Sequence, residues 1–514
     1  MSKTIIIIGA GLAGLSAVLQ AAENGCNVKL VSSLPSERAQ SVMAEGGINA
    51  ALNTKDENDS PEEHFTDTIK AACGLADPNA VWGMTQAAPE LVHWLLKLGV
   101  KFNMSGYDDV DLRNFGGQKK KRTAFAQSDT GKQIMTAMID AVRRKEASGM
   151  VERFSHHSFL TLRLCGNICC GCVIRDEYSQ ETVELPGDAV IVATGGMHGL
   201  FGNTTGSLSN TGEVTAELFR LGVPLANGEM IQYHPTTVKC GGKRMLISEA
   251  ARGEGGRLFA MKDGKQWYFM EEKYPELGNL MPRDITAREI WKVSHESEVF
   301  LDMTEISEEI ISNKLSGLAD DCMTYLHKDI RKEPVSVLPG IHYFMGGILV
   351  DEQHRTPIQN LCAAGECCAQ YHGANRLGGN SLLGALYGGR VAAKSACEQA
   401  DVVDLSCATQ IDFPPASQIS EIKQLNKVMQ ETMGVVRNEN TLLNGIKTVQ
   451  ALTGNLPLLG MAVLKSALAR KESRGAHWRE DYPKSNDDDY LKTTVARFDG
   501  KQIQISFVPV PERR

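Results

Sequence analysis

The apolar positions near the start of the chain predict a strand, a turn and a helix. Ile5 to Ile8 is a continuous apolar run of the length expected for a buried parallel strand. Closely spaced glycines follow, and a segment of helical periodicity leads into a second apolar run, Val28 to Val31. This order predicts a β–α–β unit. Residues 4–22 carry no charge, but such glycines would weaken a membrane helix, so we do not interpret them as a targeting or membrane-spanning segment.

The turn of this unit has the sequence GAGLAG, which is typical of a dinucleotide site. The first glycine suits the tight turn, the second lets the backbone approach a pyrophosphate, and the third allows close packing of helix on strand. The phosphates would lie at the positive end of the helix. The second strand lacks the usual terminal acid, so two serine hydroxyls are expected to bind the ribose. The predicted residues are Gly9, Ala10, Gly11, Gly14, Ser32 and Ser33.

Three later segments favour FAD over a nicotinamide nucleotide as the cofactor. Ala44 to Asn49 (AEGGIN) is a second glycine-rich turn that could bring backbone N–H groups against an isoalloxazine ring. Val190 to Gly196 (VIVATGG) is an apolar strand ending in small residues, and Leu361 to Glu366 (LCAAGE) is a late strand with an acid suited to a ribose hydroxyl. A compact nicotinamide-binding unit would not need a segment so far along the chain.

The order of these segments predicts three domains. Because cofactor segments lie on both sides of 229–339, residues 1–228 and 340–400 are expected to form one α/β, Rossmann-like FAD-binding domain. Residues 229–339 would be an inserted α+β capping domain whose closure excludes water. Ile419 to Leu452 and Leu464 to Glu472 have helical periodicity, and Asp499-Gly500 is typical of a hairpin turn. Residues 412–514 are therefore predicted to form a C-terminal helical domain with a short β tail.

Composition and charge exclude some functions. The chain has 514 residues, a net charge of −8 and a pI near 5.9, and its one dense basic run, Lys119 to Arg122, is short. Nucleic-acid binding is therefore not expected. The odd number of cysteines, 13, in a long chain without a secretory pattern favours reduced thiols in the cytoplasm.

A cluster of four cysteines raises the question of a metal site. Their C-x3-C-C-x-C spacing fits neither the ferredoxin runs nor the zinc pairs. The surrounding residues alternate like two strands around a Gly166-Asn167 turn, so we predict a hairpin with thiols on both faces and no metal. The four residues are Cys165, Cys169, Cys170 and Cys172.

A series of motifs runs almost from end to end of the chain. They are GAGLAGLSA at 9–17, SVMAEGGINAAL at 41–52, RNFGGQ and RTAFAQSDTG within 113–131, QYHPT at 232–236, SEAARGEGG at 248–256, PRD at 282–284, HYFMGG at 342–347, AAGE at 363–366, ANRLGGNSLLGAL at 374–386 and ESRGAHWREDYP at 472–483. In this order they resemble the flavoprotein subunit of the succinate dehydrogenase and fumarate reductase family, whose nearest soluble relative is L-aspartate oxidase.

The resemblance implies a role for each matching residue. Substrate carboxylates would be held by His234, Ser248, His342 and Arg376, the proton would come from Arg283, and Glu249 and Arg252 would deliver protons to it. Guanidinium forks and imidazole N–H groups bind carboxylates through directional, charge-assisted bonds, which suits these assignments. Free arginine is a very weak acid, so this donor requires neighbouring cations and a dry site. At the position of Ser248 the family more often has threonine.

Two positions depart from the family pattern. Gln40 replaces the histidine that links FAD covalently in membrane-bound members, so the flavin is expected to bind without a covalent bond and to favour fumarate reduction. Glu213 replaces the aspartate of a TGD motif and keeps the acid. The remaining predicted cofactor residues are Ser41, Ala44, Glu45, Gly46, Gly47, Thr194, Gly195, Glu366, Ser381 and Leu382.

The function implied is reduction of fumarate to succinate by hydride from flavin N5 and a proton from Arg283, reversible as succinate dehydrogenation. L-Aspartate oxidase is the alternative, as is a reductase of another unsaturated carboxylic acid. Aspartate oxidases typically have a glutamate where this chain has Phe115, and an apolar ring offers the substrate ammonium no acceptor. A third hypothesis is an electron-carrier subunit without substrate chemistry.

Electrons must reach the flavin from another group, and the sequence has no CxxCH haem motif, FMN domain or credible cluster site. The resemblance implies an iron-sulfur subunit as partner and, through it, a membrane quinone-linked complex. The chain would then lie in the cytoplasm, on the inner face of the membrane, without a span of its own. The alternative is a free-standing enzyme reduced by a soluble donor.

Overall fold

The computed structural model describes residues 2–106, 109–399, 413 and 418–514. The helices are α1 Leu12–Glu23, α2 Pro61–Ala71, α3 Pro78–Leu98, α4 Thr130–Ala147, α5 Glu213–Arg220, α6 Glu249–Gly253, α7 Phe269–Lys273, α8 Arg283–Val293, α9 Glu308–Lys314, α10 Ser316–Asp321, α11 Asn380–Gln399, α12 Ile419–Thr432, α13 Glu439–Val449, α14 Asn455–Ala469 and α15 Asp487–Tyr490. The strands are β1 Thr4–Ile8, β2 Asn27–Ser32, β3 Ile48–Asn49, β4 Leu112–Arg113, β5 Thr123–Ala124, β6 Val151–Ser155, β7 His157–Cys165, β8 Ile168–Asp176, β9 Thr182–Pro186, β10 Ala189–Val192, β11 Leu225–Ala226, β12 Ile231–Cys240, β13 Lys243–Leu246, β14 Arg257–Lys262, β15 Lys265–Trp267, β16 Val299–Asp302, β17 Val335–Ser336, β18 Leu338–Phe344, β19 Gly347–Leu349, β20 Leu361–Ala363, β21 Cys368–Ala369, β22 Lys492–Phe498 and β23 Ile503–Pro509.

A five-stranded parallel sheet, in the order β20-β10-β1-β2-β6, carries the predicted β–α–β unit. Strand β1 is buried on both faces, which explains its unbroken apolar run. Helices α1 and α11 lie against each other, and the Ser16 hydroxyl donates to the Leu386 carbonyl at 2.6 Å. The α/β fold and the later strands of the sheet are confirmed, although the strand predicted over 190–196 ends at Val192.

The region between β12 and β18 contains two smaller sheets and helices α6 to α10. Strand β12 lies between β13 and β18, and its register shifts after Gln232 and again between His234 and Thr237. The other sheet has the order β15-β14-β16-β17. Leu258 and Ile290 belong to the hydrophobic core of this region. Bulges beside active sites re-aim side chains, and both shifts fall within the QYHPT motif.

The C-terminal helices α12, α13 and α14 pack around a second core that includes Leu425 and Leu459. The periodic segment predicted over 419–452 is two helices, because α12 ends at Thr432 and the side chain of Asn438 caps α13. The bounds predicted for the next helix, 464–472, are wrong. Helix α14 begins at Asn455 because Pro457 is tolerated in a first helical turn, and it ends before Arg470 turns extended.

The hairpin predicted at Asp499-Gly500 is confirmed, with β22 and β23 pairing antiparallel and Gly500 at a φ of 89°. It is not an isolated tail. Strand β22 also pairs with β11, so the hairpin completes a five-stranded mixed sheet in the order β21-β19-β11-β22-β23. The end of the chain is thereby joined to strands from its middle.

The cysteine-rich segment forms the predicted hairpin, with Cys165 opposite Ile168. Cys169, Cys170 and Cys172 are all buried, and burial raises the pKa of Cys169 to about 12, so this thiol stays protonated. Within the described ranges, no three His, Cys, Asp or Glu residues are grouped to hold a metal ion. Eleven cysteines of the described residues are free thiols, but Cys165 is disulfide-bonded, which departs from the expectation of reduced thiols.

The hydropathy of the helices bears on the predicted lack of a membrane span. Among the described residues, none of the helices combines the length and apolar character needed to cross a bilayer.

Candidate active site

A cavity of about 890 Å³ opens between the parallel sheet, the region from β12 to β18 and the start of α11. It is bordered by both glycine-rich turns and by ionisable side chains from β12, α6, α8 and β18. The structure brings together almost every residue that the sequence assigned to the cofactor, to substrate or to catalysis. The two predicted residues that do not line the cavity are Gly14 and Arg252.

The turn between β1 and α1 forms one end of the cavity. A Cβ on Gly9 would lie 2.2 Å from the Ala193 carbonyl oxygen, and one on Gly14 would lie 1.9 Å from the Gly9 carbonyl oxygen. Only glycine fits at these positions. Gly14 therefore acts through packing, behind the turn, and the close approach leaves the start of α1 open to a pyrophosphate.

Polar groups near this turn also fit FAD. The hydroxyl of Ser32 is buried and has no hydrogen-bond partner in the described structure, as expected for a group that receives a ribose hydroxyl. No side chain caps α1 at Gly11, which leaves its N-terminal N–H groups for phosphate. Ser41 accepts a hydrogen bond from the N–H of Leu12 at 3.3 Å. The donors and the space at this end thus match an FAD diphosphate and ribose.

Arg113 holds the second glycine-rich turn in place, a role that the sequence did not reveal. Its guanidinium donates to the Gly46 carbonyl at 3.0 Å and to the Glu45 carbonyl at 2.9 Å, and it lies 4.4 Å from the centre of the Phe125 ring. A Cβ on Gly46 would lie 3.1 Å from the ring of Phe115. The turn is therefore fixed between a guanidinium and an aromatic ring. The motif RNFGGQ was the only signal for this arginine.

The carboxyl of Glu45 projects into the cavity from this turn. Its Oε2 is buried without a hydrogen-bond partner among the described residues. Burial, reinforced by the charge of Asp321, raises its pKa to about 8. The carboxyl is therefore mostly protonated at neutral pH and can donate a hydrogen bond.

Arg283, Glu249 and Arg252 form a buried line of charges. Nε and Nη2 of Arg283 donate to Glu249 Oε2 at 2.8 and 2.6 Å, and Nη2 of Arg252 lies 3.6 Å from Glu249 Oε1. Burial acts to raise the pKa of Glu249, but the two guanidiniums outweigh it and the pKa lies below its usual value. Burial lowers the pKa of Arg252, and Arg283 adds to this effect. Glu249 is thus an ionised carboxylate between two arginines, in contact with both.

Two histidines lie opposite this line of charges, with ring centres 5.2 Å apart. Burial, together with Arg283, lowers the pKa of His234 and of His342 well below the usual value, so both rings are neutral. Nε2 of His234 is buried without a partner in the described structure, and its Nδ1 lies 3.1 Å from the Thr236 carbonyl oxygen and 3.3 Å from the Thr236 N–H. In the tautomer in which Nδ1 accepts from Thr236, Nε2 carries a proton that it can donate to a ligand in the cavity.

Ser248 and Arg376 are two further polar residues that line the cavity. Ser248 caps α6, where its hydroxyl accepts from the N–H of Ala250 at 3.4 Å. The guanidinium of Arg376 lies 4.4 Å from the centre of the Tyr343 ring, and burial together with Arg283 lowers its pKa to about 9. With Arg252 and Arg283, three buried guanidiniums face the single carboxylate of Glu249. The excess of positive charge suits a dianion.

Some of the predicted cofactor residues lie at the edge of the cavity and are more exposed or already hydrogen-bonded. Gln40 begins a short 3₁₀ helix, Gln40–Met43, and is half-buried, whereas Glu213 begins α5 and is exposed. Glu366 already accepts a hydrogen bond from the N–H of Phe344 at 3.1 Å, so one of its oxygens is engaged within the protein. Arg244 of β13 also lines the cavity, and no motif in the sequence marked it.

Comparison with known proteins agrees with this geometry. The family model described as "FAD binding domain" matches residues 4–382, and that described as "Fumarate reductase flavoprotein C-term" matches residues 452–513. The succinate dehydrogenase flavoprotein subunit of Bacillus subtilis is 38% identical, over 100% of this chain and 98% of its own length.

Fumarate reductases are similar as well. The 8-methylmenaquinol:fumarate reductase flavoprotein subunit of Wolinella succinogenes is 32% identical, over 100% of this chain and 92% of its own. The structure of a variant of E. coli quinol fumarate reductase FrdA matches with a TM-score of 0.90 and 27% identity, covering 99% of this chain and 97% of that one. The chain therefore belongs to the family of succinate dehydrogenase and fumarate reductase flavoprotein subunits, which are FAD-dependent oxidoreductases.

Proposed function

We propose that this protein reduces fumarate to succinate, and that Arg283 donates the proton. The observation that carries the proposal is the position of Arg283. Its guanidinium contacts the ionised Glu249 and lines the same cavity as the neutral His234 and His342 and the charged Arg376. The same buried surface thus holds groups that could deliver a proton and groups that could bind carboxylates, and a dicarboxylate reductase needs both.

Substrate binding would use groups that have no partner inside the protein. Nε2 of His234 and Nε of Arg376 are both buried and unpaired within the described residues, and substrate carboxylates would satisfy them. His342 and the hydroxyl of Ser248 line the same space. FAD, when bound, supplies a hydride from N5. Clamps at both ends would hold the C4 chain so that its two central carbons are presented in one orientation.

Proton delivery would run along the line of charges. Of the five N–H groups of Arg283, two are engaged by Glu249 and one by Gln232, which leaves two to address the substrate. After Arg283 releases a proton to the alkene carbon, a replacement proton would pass from Arg252 to the ionised Glu249, 3.6 Å away, and from Glu249 to Arg283 across the 2.6 Å contact. The neighbouring cations and the dry site make the proton of an arginine easier to lose.

The test is fumarate reduction driven by a reduced viologen dye. Arg283→Ala should lower kcat by at least about 10³-fold, since a positioned acid and its charge are both lost, while the absorbance of bound flavin is unchanged. Arg288→Ala is the matched control, because Arg288 lies on the same helix but stacks 4.1 Å from the centre of the Trp478 ring, away from the cavity lining. Retained turnover in Arg283→Ala would favour an electron-carrier subunit instead.

L-Aspartate oxidase remains the alternative to test, although none of the relatives compared above carries that name. Phe115 is only 2% exposed and belongs to a hydrophobic cluster, so it gives a substrate ammonium no acceptor. Anaerobic mixing distinguishes the two functions. Rapid bleaching of the flavin by L-aspartate, with none by succinate, would reverse the assignment. A reductase of another unsaturated acid would instead show a higher kcat/KM with that acid than with fumarate.

We further propose that FAD is bound without a covalent link. Gln40 lies at the cavity where covalent members of the family have their linking histidine, and an amide cannot form that bond. Without it the flavin potential should be lower, which favours fumarate reduction over succinate oxidation. Acid precipitation should release all FAD into the supernatant. A faster rate of succinate oxidation than of fumarate reduction with matched dyes would refute the proposed direction.

The electron donor is proposed to be an iron-sulfur subunit, which would in turn connect the flavin to a membrane quinol. The names of two of the relatives above specify quinol-linked fumarate reductases, which supports this partner. The protein would then lie on the cytoplasmic face of the membrane. Co-expression with the products of neighbouring genes and size-exclusion chromatography test the proposal. Elution of the chain alone, with viologen-independent activity from a soluble donor, would refute it.

A further inference from the structure

Gln232 lies between the proposed proton donor and the proposed substrate clamp. It is fully buried on β12, next to the first register shift. Its Oε1 accepts a hydrogen bond from Arg283 Nη1 at 3.1 Å. Its Nε2 donates to the carbonyl of Arg376 at 2.8 Å and to Oδ1 of Asn375 at 2.9 Å. One amide thus links the guanidinium of Arg283 to the main chain of Arg376, and both its oxygen and its nitrogen are hydrogen-bonded.

The bonds of Gln232 form part of a closed circuit. Asn375 donates from Nδ2 to Oδ1 of Asp284 at 3.2 Å, and Asp284 follows Arg283 directly in the chain. The start of α8 and the segment 375–376 are therefore tied together through two links that meet at Asn375. The far side of this segment is also anchored, because the N–H of Ala476 donates to the Ala374 carbonyl at 2.9 Å. Neither the guanidinium of Arg283 nor the main chain of Arg376 can shift without breaking a buried hydrogen bond, which is costly.

We propose that Gln232 is a positioning residue that sets the distance between the acid Arg283 and the clamp Arg376. A substrate held by Arg376 is then presented to Arg283 in one geometry. This inference rests on the proposed function. A displacement of about 1 Å between reacting groups can cost about 10²-fold in rate. The individual clamps remain when the amide is lost, so substrate binding should change much less than turnover.

Gln232→Leu, which keeps the volume and removes the hydrogen bonds, tests the proposal in the FAD-bound protein. We expect kcat for fumarate reduction to fall about 10²-fold. The dissociation constant of malonate, a dicarboxylate that cannot be reduced, should rise less than about fivefold by thermal shift. Gln20→Leu is the matched control, because Gln20 is a glutamine that is 4% exposed in α1 and bonds only to Asn24 among the described residues. It should keep the wild-type kcat.

Asn375→Leu breaks the same circuit at another point, its bonds to Gln232 and Asp284, and should lower kcat about tenfold. Because both changes break one circuit, the double variant should be at most about twofold slower than Gln232→Leu alone. Losses that multiply would overturn the proposal, as would a kcat for Gln232→Leu within about twofold of wild type. If Gln232→Leu loses its flavin, Asn375→Leu decides, and an unchanged kcat there overturns the proposal. A wild type unable to reduce fumarate refutes the proposed function itself, and the role of Gln232 with it.

Discussion

Glu249→Gln separates the effect of the buried charges on stability from their proposed role in proton transfer. Glu249 is 3% exposed, contacts Arg283 at 2.6 Å and lies 3.6 Å from Arg252. Glutamine keeps the shape of the side chain but removes the only negative charge between two buried guanidiniums. We therefore expect the variant to fold less stably, to lose turnover and to bind dianions more tightly.

The magnitudes follow from the contacts. Removing one partner of a buried ion pair typically costs about 3–5 kcal/mol, because the other charge stays buried without compensation. A bound dicarboxylate restores negative charge to the same space. At an effective dielectric constant of about 20, one extra unit of positive charge about 10 Å away is worth roughly 1–2 kcal/mol to an anion. Malonate carries two negative charges and should therefore bind Glu249→Gln at least about tenfold more tightly than wild type, or about 1.4 kcal/mol.

Thermal unfolding of the FAD-bound protein, with and without saturating malonate, measures both effects. Glu472→Gln is the matched control, because Glu472 is equally buried and bonds to Arg470 and Arg474 at 2.8 Å, away from the cavity lining. It should lose a similar stability and show the same malonate shift as wild type. Viologen-driven kcat should fall by about 10²–10⁴-fold in Glu249→Gln only. A malonate shift in Glu249→Gln no larger than that of wild type would refute the reasoning.

Three further predictions follow from single residues. The folded protein keeps Glu45 protonated up to about pH 8, while the unfolded chain ionises near its ordinary pKa of 4.5, so stability should decrease as pH rises from about 4.5 to about 8 and level off above that. Glu45→Gln should flatten this slope in melting temperatures measured from about pH 5 to about pH 9. Burial brings the pKa of Arg376 to about 9, so malonate affinity measured by flavin difference spectra should fall above that pH, and a flat profile would exclude Arg376 as a charged clamp. Gly14→Ala should lose FAD, because its Cβ would lie 1.9 Å from the Gly9 carbonyl oxygen, whereas Gly149→Ala, at a φ of 77° in open space, should cost only about 1–2 kcal/mol and keep a normal ratio of flavin to protein absorbance.

The nucleotide half of the fold was predictable because its constraints are local. The apolar run of β1 and the glycines that follow it identify a buried strand and a tight turn, in which a Cβ on Gly14 would collide with the carbonyl of Gly9. Element bounds were less predictable where a single residue decides them. The periodicity of 419–452 did not reveal the cap at Asn438, and that of 464–472 missed the start of α14 at Asn455, where Pro457 is accommodated in the first turn. No local signal showed that β22 would pair with β11, residues more than 260 positions earlier.

The ionisation of the cavity depends on distant neighbours, which is why the sequence did not predict it. Glu45 is one acid of an AEGG turn, and its raised pKa comes from burial and from Asp321, a residue of another region of the chain. The motif QYHPT pointed to His234 by resemblance. The proposed positioning role of Gln232 depends on its hydrogen bonds to Arg283 and to the carbonyl of Arg376, which only the fold brings together. Periodicity indicates which face of an element is buried; it does not indicate which charges share that buried space.

The two ends of the cavity should therefore respond differently to substitution. The cofactor end consists largely of backbone donors and glycines, so an added Cβ at Gly9 or Gly14 alters the main chain itself and FAD binding is lost. The proposed substrate end consists of charged side chains on rigid elements, so truncating Arg283 should leave the backbone intact and abolish turnover while FAD stays bound. Glu45 belongs to both ends, since its main chain forms the second glycine-rich turn and its carboxyl faces Ser248 and Asp321 in the cavity. A substitution there should alter the flavin spectrum and the pH dependence of turnover together, whereas one at Arg283 should alter turnover alone.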